Sequence, residues 1–307
     1  MNKTALLFAG QGAQVVGMGR DLADKFPSAK IWFDRANTAL GYDLAGICFN
    51  GPEAALTNTE NAQPAIFLVG WVAYQLLREQ APSLAFAATA GLSLGEFTAL
   101  TAAGALSFED GLRLVRQRGK FMQEACEITR GGMAAIIGLD EGPTRDVCAE
   151  AGVVLANLNC PGQLVISGEA DKIGRACELA KVRGAKKAMA LTVAGAYHSP
   201  LMASAQPKLA AELERTRIVA PMVTVISNVT AEPHGADIAA RLVEQVCAPV
   251  RWESSMRHLL AQGFTRFIEL GPGTALSSFM KRIDKSAQML NVANLASLEA
   301  TAKALTA

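Results

Sequence analysis

A short apolar run that leads straight into two closely spaced glycines constrains this chain most. Residues 84–91, LAFAATAG, have the composition of a buried strand, and residues 91–97, GLSLGEF, follow at once and enter a helical pattern. Gly91 and Gly95 lack Cβ atoms, so the backbone can reverse sharply between the strand and the helix. A strand that turns directly into a helix indicates an α/β fold.

Ser93 lies in the middle of this turn, in the pattern Gly-x-Ser-x-Gly. In one interpretation it is the nucleophile of a strand–turn–helix elbow, and the backbone N–H of Leu94 faces the same space as half of an oxyanion hole. In the other interpretation Ser93 is the N-cap of an ordinary helix. The context favours the nucleophile, which then requires a base elsewhere in the chain.

Three histidines are candidates for this base. His198 stands in AYHSPLM, where Ser199 and Pro200 are typical of an N-cap and a first helical residue, so His198 is expected just before a helix. The positive end of that helix would disfavour imidazolium and keep the ring able to accept a proton. His258 falls in a pattern typical of an amphipathic helix, and His234 falls in a loop.

A rival constellation is Ser93, Asp237 and His258, which follows the chain order serine, acid, histidine of the α/β-hydrolases. Order along the chain is weak support, because His258 also fits an interior or surface position of a helix. His198 is the favoured base, and the rival stays open at this point.

Two further residues are candidates for the same site. Gly10 and Gly12 flank Gln11 and begin like a dinucleotide fingerprint, but Val15 stands where the third glycine would be and the acidic residue is missing. The loop could instead direct the Gln11 N–H into the site as a second oxyanion donor. Arg118 is either solvated or points towards the serine, where its planar fork would suit a substrate carboxylate.

The middle of the chain changes character after a double glycine at 131–132. Strand and helix patterns then follow the order β-α-β-β-α-β, which is the ferredoxin-like motif. We predict an α/β fold with a hydrolase-like large domain, which has a parallel-sheet core, and an inserted ferredoxin-like small domain. The catalytic domain is assigned residues 1–128 and 198–307, and the insert is assigned residues 129–197.

Composition excludes several classes of partner. Of the 307 residues 50% are hydrophobic and 19% are charged, and the net charge of +1 gives no electrostatic reason to expect nucleic acid or an acidic membrane surface. The six cysteines form no Cys-x-x-Cys pair and show no metal spacing. We expect neither a signal peptide nor a membrane helix, and we expect a reduced, cytoplasmic protein.

Eight segments point together to one family. They are FAGQGAQ, NAQPAIF, GLSLGEFTAL, RQRGKFMQEA, NLNCPGQLVISG, VAGAYHSPLM, LVEQVCAPVRW and ELGPG. Over nearly its whole length the chain resembles the malonyl-CoA:acyl-carrier-protein transacylases and related acyltransferases of fatty-acid and polyketide synthesis. Eight segments in the family's order are far more specific than a Gly-x-Ser-x-Gly pattern alone.

The resemblance implies a ping-pong transfer of malonyl from malonyl-CoA to the phosphopantetheine thiol of an acyl carrier protein. Ser93 would become malonylated, and its base His198 would be held by the backbone carbonyl of Gln245 instead of an aspartate. The other implied roles are backbone oxyanion donors for Gln11 and Leu94, the malonyl carboxylate site for Arg118, and pocket lining for Gln63 and Asn159. Neither a metal nor a redox cofactor is implied, and we expect a monomer.

Selectivity is also implied by the resemblance. Tyr197 precedes His198 where malonyl-selective members usually have phenylalanine, and its bulk should crowd out an α-methyl group. Leu94 follows the nucleophile where methylmalonyl-selective relatives tend to carry glutamine. Leu92 replaces the usual histidine before the serine, as in free-standing, trans-acting polyketide acyltransferases, so the pathway stays open.

Two alternatives use the same residues differently. An acyl hydrolase on the same fold would release acyl groups to water, but Arg118 speaks against it because simple acyl chains have no carboxylate. A non-catalytic scaffold would dock carrier proteins and leave Ser93 unacylated. Lys186 and Lys187 are either solvated or candidates for meeting an acidic carrier.

Overall fold

The computed structural model describes residues 3–306. Its strands are β1 (Lys3–Phe8), β2 (Ala88–Gly91), β3 (Gly131–Ile137), β4 (Val154–Cys160), β5 (Gln163–Glu169), β6 (Lys187–Ala190), β7 (Thr224–Val225), β8 (Phe264–Leu270) and β9 (Gln288–Val292). Its α-helices are α1 (Arg20–Lys25), α2 (Pro27–Leu40), α3 (Leu44–Asn50), α4 (Glu53–Thr57), α5 (Thr59–Gln80), α6 (Gly95–Ala102), α7 (Phe108–Ile128), α8 (Glu141–Ala151), α9 (Ala170–Val182), α10 (Ala205–Glu214), α11 (Ile238–Gln245), α12 (Trp252–Ala261), α13 (Ala275–Ile283) and α14 (Leu295–Thr306). A 3₁₀ helix, Pro200–Met202, precedes α10.

The described chain divides into two compact units. The first takes the described residues up to Gly119, the segment Thr216–Ile226 and the described residues from Leu259 onward, and the second takes Lys120–Arg215 and Ser227–His258. The second unit therefore includes the whole of the predicted insert and is larger than it.

Backbone pairing explains why chain beyond the insert joins the second unit. The Val250 N–H donates to the Ala156 carbonyl over 2.8 Å, and the Val250 carbonyl accepts from the Leu158 N–H over 2.9 Å, so one edge of β4 is paired with this later segment. The predicted boundaries thus differ from the division into compact units. The assignment of residues 1–128 and 198–307 to a catalytic domain and 129–197 to an insert stays a prediction, and Met1, Asn2 and Ala307 lie outside the described residues.

The first unit is built on a parallel sheet with the strand order β7-β2-β1-β8-β9. Strand β1 is buried from Thr4 to Phe8, as expected for a central strand that is covered on both faces. The predicted parallel-sheet core is confirmed. Because the strands are parallel, the loops that follow β1, β2 and β8 leave the sheet at the same edge, where α/β folds place their ligands.

Helix α6 is buried along its whole length. Its polar residues, Glu96, Thr98 and Thr101, are buried with the apolar ones, so no face of the helix is turned to solvent and it belongs to the core. It packs on β1 and β2 on one side, and α5 packs on it in turn. The burial of α6 fixes the position of the turn that precedes it.

The second unit contains an antiparallel sheet with the strand order β4-β5-β3-β6. Helix α8 connects β3 to β4 and α9 connects β5 to β6, which is the predicted ferredoxin-like order. A core of small and aliphatic side chains, including Ile136, Val147, Ile166 and Ala176, fills the space between helices and sheet. The separate antiparallel sheet is thereby confirmed.

Some element ends differ from the sequence predictions. Strand β2 begins at Ala88 and not at residue 84, because the Leu84 N–H closes a turn onto the Ala81 carbonyl over 3.0 Å. Helix α7 begins after Ser107, whose hydroxyl oxygen accepts from the Asp110 N–H over 3.1 Å and donates to the Asp110 carboxylate over 2.7 Å. The bond from the Asp110 N–H is the serine half of a capping box.

Within residues 3–306 we find no helix both long and apolar enough to cross a bilayer. None of the six cysteines, all of which lie within residues 3–306, forms a disulfide. Burial raises the pKa of Cys48 to about 12 and those of Cys126 and Cys148 to about 11. These thiols are therefore poor nucleophiles near neutral pH, and the cytoplasmic location stays a prediction.

Glu269, near the end of β8, is a buried carboxylate that holds the helix after it. It accepts hydrogen bonds from the Leu276 N–H (3.0 Å), the Ser277 N–H (2.8 Å) and the Ser277 hydroxyl (2.6 Å). These donors belong to the first turn of α13, so the carboxylate ties the turn at 271–273 to both flanking elements. Burial outweighs the hydrogen bonds and raises the pKa of Glu269.

This raised pKa predicts a pH dependence of stability. A carboxyl whose pKa is higher in the folded state contributes stability below its unfolded pKa, about 4.3, and loses it as the pH rises through the folded pKa. The free energy of unfolding of the wild type minus that of Glu269→Gln should therefore fall as the pH rises from about 4. Urea denaturation at a series of pH values measures this difference, and a rise with pH would contradict the prediction.

Candidate active site

Ser93 occupies a strained turn between β2 and α6. Its φ is 54°, in the left-handed region that residues other than glycine rarely adopt. A Cβ at Gly91 would lie 1.9 Å from the Gly95 carbonyl carbon, and a Cβ at Gly95 would lie 2.4 Å from the Phe8 carbonyl oxygen. Both glycines are thus required by close backbone approach. The N-cap of α6 is Leu94, so the interpretation of Ser93 as the N-cap is wrong.

The N-terminal turn of α6 follows Ser93 directly. Its N–H groups at Gly95, Glu96 and Phe97 donate over 3.0 Å to the carbonyls three residues earlier in the chain. The Leu94 N–H precedes this series, at a helix end where partial positive charge accumulates. Its position suits a donor to negative charge that develops next to the Ser93 hydroxyl.

The loop after β1 lies against this turn. A Cβ at Gly10 would lie 2.6 Å from the Leu92 carbonyl oxygen, so only glycine permits the approach. Gly12 has a φ of 98° and turns the chain immediately after Gln11. The predicted oxyanion residues, Gln11 and Leu94, are therefore carried by two loops that contact each other.

Arg118 is buried beside the serine, with 1% of its surface exposed. Its Nη1 donates to Gln63 Oε1 over 2.7 Å, and its Nη2 donates to Ser93 Oγ over 3.0 Å. The guanidinium carbon also lies 5.7 Å from the centroid of the Phe97 ring. The solvated interpretation of Arg118 is wrong, because the side chain is buried and points to Ser93.

Two helices place this arginine. A Cβ at Gly119 would lie 2.5 Å from the Thr59 carbonyl oxygen, so glycine lets α7 lie against the start of α5. Gln63, on α5, is fully buried and offers its amide oxygen to Arg118. The sequence predicted Gln63 as a pocket residue, and its contact with Arg118 gives it a specific task, which is to orient the guanidinium.

His198 belongs to the second unit and is also strained. Its φ is 56°, and 4% of its surface is exposed. Its Nδ1 lies 2.9 Å from the carbonyl oxygen of Gln245 and 3.2 Å from that of Ala248. Carbonyl oxygens only accept, so Nδ1 must carry the proton, which leaves Nε2 of the neutral ring as an acceptor.

The predicted contact with Gln245 is present, but Ala248 was missed. A backbone acceptor has no side-chain signature, so nothing in the sequence distinguishes Ala248 from its neighbours. A second correction concerns the helix after His198. Ser199 is an N-cap as predicted, yet it caps the short 3₁₀ helix, and α10 begins only at Ala205. The dipole of a full helix therefore does not start at His198, and the two carbonyls fix the tautomer instead.

The two remaining pocket candidates also lie in the second unit. Tyr197 is 7% exposed and forms a side-chain hydrogen bond with Cys126. Asn159 is 6% exposed, and its Oδ1 has no hydrogen-bond partner among residues 3–306. A buried acceptor without a partner is costly unless another molecule supplies a donor.

The structure gives no support to the rival constellation. His258 lies on α12 as predicted, and its Nδ1 is 3.0 Å from Glu232 Oε2. Asp237 pairs with Arg241, whose Nε lies 2.8 Å from its carboxylate. The acid and the histidine of the rival thus each engage a different side chain.

The described residues, 3–306, include no group of three or more histidine, cysteine, aspartate or glutamate side chains that could hold a metal ion.

A serine on a strained strand-to-helix turn of a parallel α/β sheet, with a buried cation on its hydroxyl, is an arrangement for covalent acyl chemistry. The comparison with known families agrees. The acyl transferase domain family matches residues 5–303, and the chain belongs to that family.

Individual relatives have names that are more specific than that of the family. The chain is 45% identical to the malonyl CoA-acyl carrier protein transacylase of Bacillus subtilis (strain 168), over 97% of this chain and 96% of the relative. The structure of the malonyl CoA-acyl carrier protein transacylase from Coxiella burnetii is similar, with a TM-score of 0.95 and 36% identity over 100% of this chain and 98% of that one. A malonyl-transacylase solved in complex with its type II polyketide-synthase acyl-carrier protein gives a TM-score of 0.94 and 37% identity, over 98% of this chain and 99% of that one.

The glycine at 95 generates a prediction about stability. Gly95→Ala would push a Cβ into the main-chain oxygens of Phe8 and Ala9, at 2.4 and 2.8 Å, which cannot move without disturbing β1. We expect a loss of about 2–4 kcal/mol in the free energy of unfolding, as for other overpacked or strained core positions. Chemical denaturation of the wild type and the variant measures this loss.

Gly174→Ala is the matched control. Gly174 also lies in a helix, α9, but a Cβ there would meet nothing within 4 Å. This substitution should be neutral or should stabilise by about 0.5–1 kcal/mol, because alanine favours a helix over glycine. Equal effects of the two substitutions would show that the close approach at Gly95 does not matter.

Proposed function

We propose that the chain transfers a malonyl group from malonyl-CoA to the phosphopantetheine thiol of an acyl carrier protein through a malonyl-Ser93 intermediate. The observation that carries this proposal is the Arg118 guanidinium, 3.0 Å from Ser93 Oγ. The free carboxylate of a malonyl thioester is two bonds from the carbonyl carbon under attack, so it falls within reach of that cation. The malonyl-transacylase names of the relatives support the same reaction.

In the first half-reaction His198 acts as the general base. Its Nδ1 is occupied by the carbonyls of Gln245 and Ala248, so Nε2 accepts the Ser93 proton while Oγ attacks the thioester carbon. The backbone N–H groups of Gln11 and Leu94 stabilise the tetrahedral oxyanion. The C–S bond then breaks, and the coenzyme A sulfur leaves as the thiol with the proton held by the imidazolium.

In the second half-reaction the carrier's phosphopantetheine thiol gives its proton to His198 and attacks the malonyl ester. The same oxyanion donors act again, and Ser93 recovers its proton when the ester C–O bond breaks. Leu94 and Phe97 are fully buried, and with Leu92 they help keep water from the ester. None of these steps requires a metal or a redox cofactor.

Arg118 and Gln63 orient the acyl group. One donor of Arg118 is held by Gln63 Oε1, and the other, on Ser93 Oγ, can turn to the malonyl carboxylate once Oγ is acylated. Because the amide fixes the plane of the guanidinium, little side-chain entropy is lost when the substrate binds. An acyl group without a carboxylate gains nothing from this pair.

Tyr197 and Asn159 are the two remaining residues to which we assign a role towards the substrate. The Tyr197 ring, fixed by its contact with Cys126, acts as a wall against an α-methyl group. One methyl is worth about 1–3 kcal/mol in such a pocket, so malonyl over methylmalonyl is a preference. The unpartnered Oδ1 of Asn159 suits a substrate N–H donor. Lys186 and Lys187 are exposed and stay candidates for meeting an acidic carrier.

The main prediction concerns the covalent intermediate. Intact-protein mass spectrometry after mixing with malonyl-CoA should show one malonyl adduct on the wild type and none on Ser93→Ala, which lacks the nucleophile. Addition of a phosphopantetheinylated carrier should move the adduct to the carrier faster than water removes it. This order of rates is what separates a transacylase from a hydrolase.

Three other outcomes have distinct meanings. An adduct lost mainly to water would favour the acyl hydrolase. If the His198→Gln variant forms the Ser93 adduct at the wild-type rate, His198 is excluded as the base. No adduct from malonyl-CoA or any other acyl thioester would overturn the covalent mechanism and favour a carrier-docking scaffold.

A further prediction isolates Arg118. Arg118→Ala should lower the rate of Ser93 acylation by malonyl-CoA about 10- to 100-fold, because a hydrogen bond to a charged group is worth about 1.5–3 kcal/mol. The rate with acetyl-CoA, measured in the same way, should change much less, since acetyl has no carboxylate. Stopped-flow or rapid-quench single-turnover measurements give both rates.

Arg113→Ala is the matched control, because Arg113 lies on the same helix with 57% of its side chain exposed. It should leave both rates unchanged. If Arg118→Ala slows malonyl and acetyl transfer equally, Arg118 serves the nucleophile and not the carboxylate.

A further inference from the structure

The backbone around His198 is held in a conformation that a histidine rarely adopts. Its φ of 56° is unfavourable for a residue with a Cβ. The ring nevertheless reaches two carbonyl oxygens, at 2.9 and 3.2 Å from Nδ1. Relaxation of the backbone would swing the ring away from both acceptors, so something must hold the strained conformation.

Ser199, the next residue, has the contacts to do this. Its side chain is fully buried. The hydroxyl donates to the Ala196 carbonyl over 2.6 Å and accepts from the Leu201 N–H over 3.3 Å. The first of these bonds spans Tyr197 and His198 and so closes a short loop around the strained residue.

The Ala196 end of this loop is itself fixed by packing. A Cβ at Gly131 would lie 2.6 Å from the Ala196 backbone nitrogen, and a Cβ at Gly195 would lie 2.4 Å from the Cys126 sulfur. Ala196 is therefore wedged against neighbouring backbone, and its carbonyl is a firm anchor for the Ser199 hydroxyl.

We propose that Ser199 is a positioning residue for the base. The hydrogen bond from its hydroxyl to the fixed Ala196 carbonyl restrains the backbone on both sides of His198. This bridge keeps the imidazole Nδ1–H on the carbonyls of Gln245 and Ala248. The tautomer with Nε2 as the acceptor is thereby maintained. The inference rests on the proposed function, in which His198 Nε2 takes the Ser93 proton.

The alternative is that Ser199 does no more than cap the 3₁₀ helix through the Leu201 N–H. A cap contributes to stability but does not change the tautomer of a neighbouring ring. The state of the His198 ring therefore separates the two roles, whether or not a variant is destabilised.

The experiment compares the wild type, Ser199→Cys and Ser199→Ala. A thiol is similar in size but a weaker donor, and a methyl group cannot donate at all. Long-range ¹H–¹⁵N NMR reports the tautomer of each histidine, and with three histidines in the chain the signals are assigned from His234→Gln and His258→Gln. Single-turnover acylation by malonyl-CoA is measured on the same proteins.

We expect wild-type His198 to show one tautomer with Nδ1 protonated, Ser199→Ala to show a mixture, and Ser199→Cys to fall between. The acylation rate constant should follow the same order, with a loss of up to about 100-fold for Ser199→Ala and little change in the malonyl-CoA concentration at half-saturation. If Ser199→Ala does not fold, the comparison of the wild type with Ser199→Cys still decides between the positioning role and the capping role.

Ser107→Ala is the matched control, because Ser107 also accepts from a helix N–H, at the start of α7, but lies outside the site. It should lower stability and leave tautomer and rate unchanged. Variants of Ser199 that behave like Ser107→Ala would overturn the positioning role. A wild type that is never acylated would overturn the proposed function instead, while the tautomer would still test the bridge.

Discussion

The site depends first on how closely the turn before α6 packs on the end of β1. With no Cβ at Gly95, its backbone reaches the carbonyl oxygens of Phe8 and Ala9, and α6 is buried along its whole length behind it. The chain must then reverse within a few residues, and this forces Ser93 into the left-handed region. The strain of one residue is offset by the burial of a whole helix. The packing of the backbone therefore places the Ser93 hydroxyl at the carboxyl edge of the sheet.

In the proposed function, the buried guanidinium next to that hydroxyl decides what kind of substrate fits. Taking a cation out of water is costly, and Arg118 recovers part of this cost from the neutral oxygens of Gln63 and Ser93. A carboxylate is a stronger partner for a guanidinium than a neutral oxygen, so a substrate that brings one is favoured at the moment the acyl group reaches Ser93. In the proposed reaction selectivity and acylation are coupled, because the donor that contacts Ser93 Oγ would also meet the carboxylate.

Much of this could be predicted from the sequence, and the misses share a cause. Ser93 and Arg118 were predicted, because glycine spacing and family segments mark side chains, whereas the contact of His198 with the Gln245 carbonyl was implied by the family resemblance alone. Ala248 was missed since a backbone carbonyl leaves no mark on the residue that carries it. The helix after His198 was expected to be longer because Ser-Pro begins a 3₁₀ helix and an α-helix equally well. The extent of the second unit was missed because the pairing of Val250 with β4 joins segments far apart in the chain.

Two residues proposed to react, Ser93 and His198, have φ angles of 54° and 56°, and glycine would adopt either more easily. Neither position can be glycine, because the side chain is what the chemistry uses. The chain meets the same difficulty in two ways. Around Ser93 the neighbouring residues Gly91 and Gly95 have no Cβ atoms, so the strained conformation depends on close packing of the backbone. Around His198 the chain adds the hydrogen bond of the next residue, so that conformation depends on a donor that a single substitution removes. Strain of this kind persists only where the surroundings over-determine the backbone, and of the two residues the proposed base is therefore the one whose conformation is more easily lost.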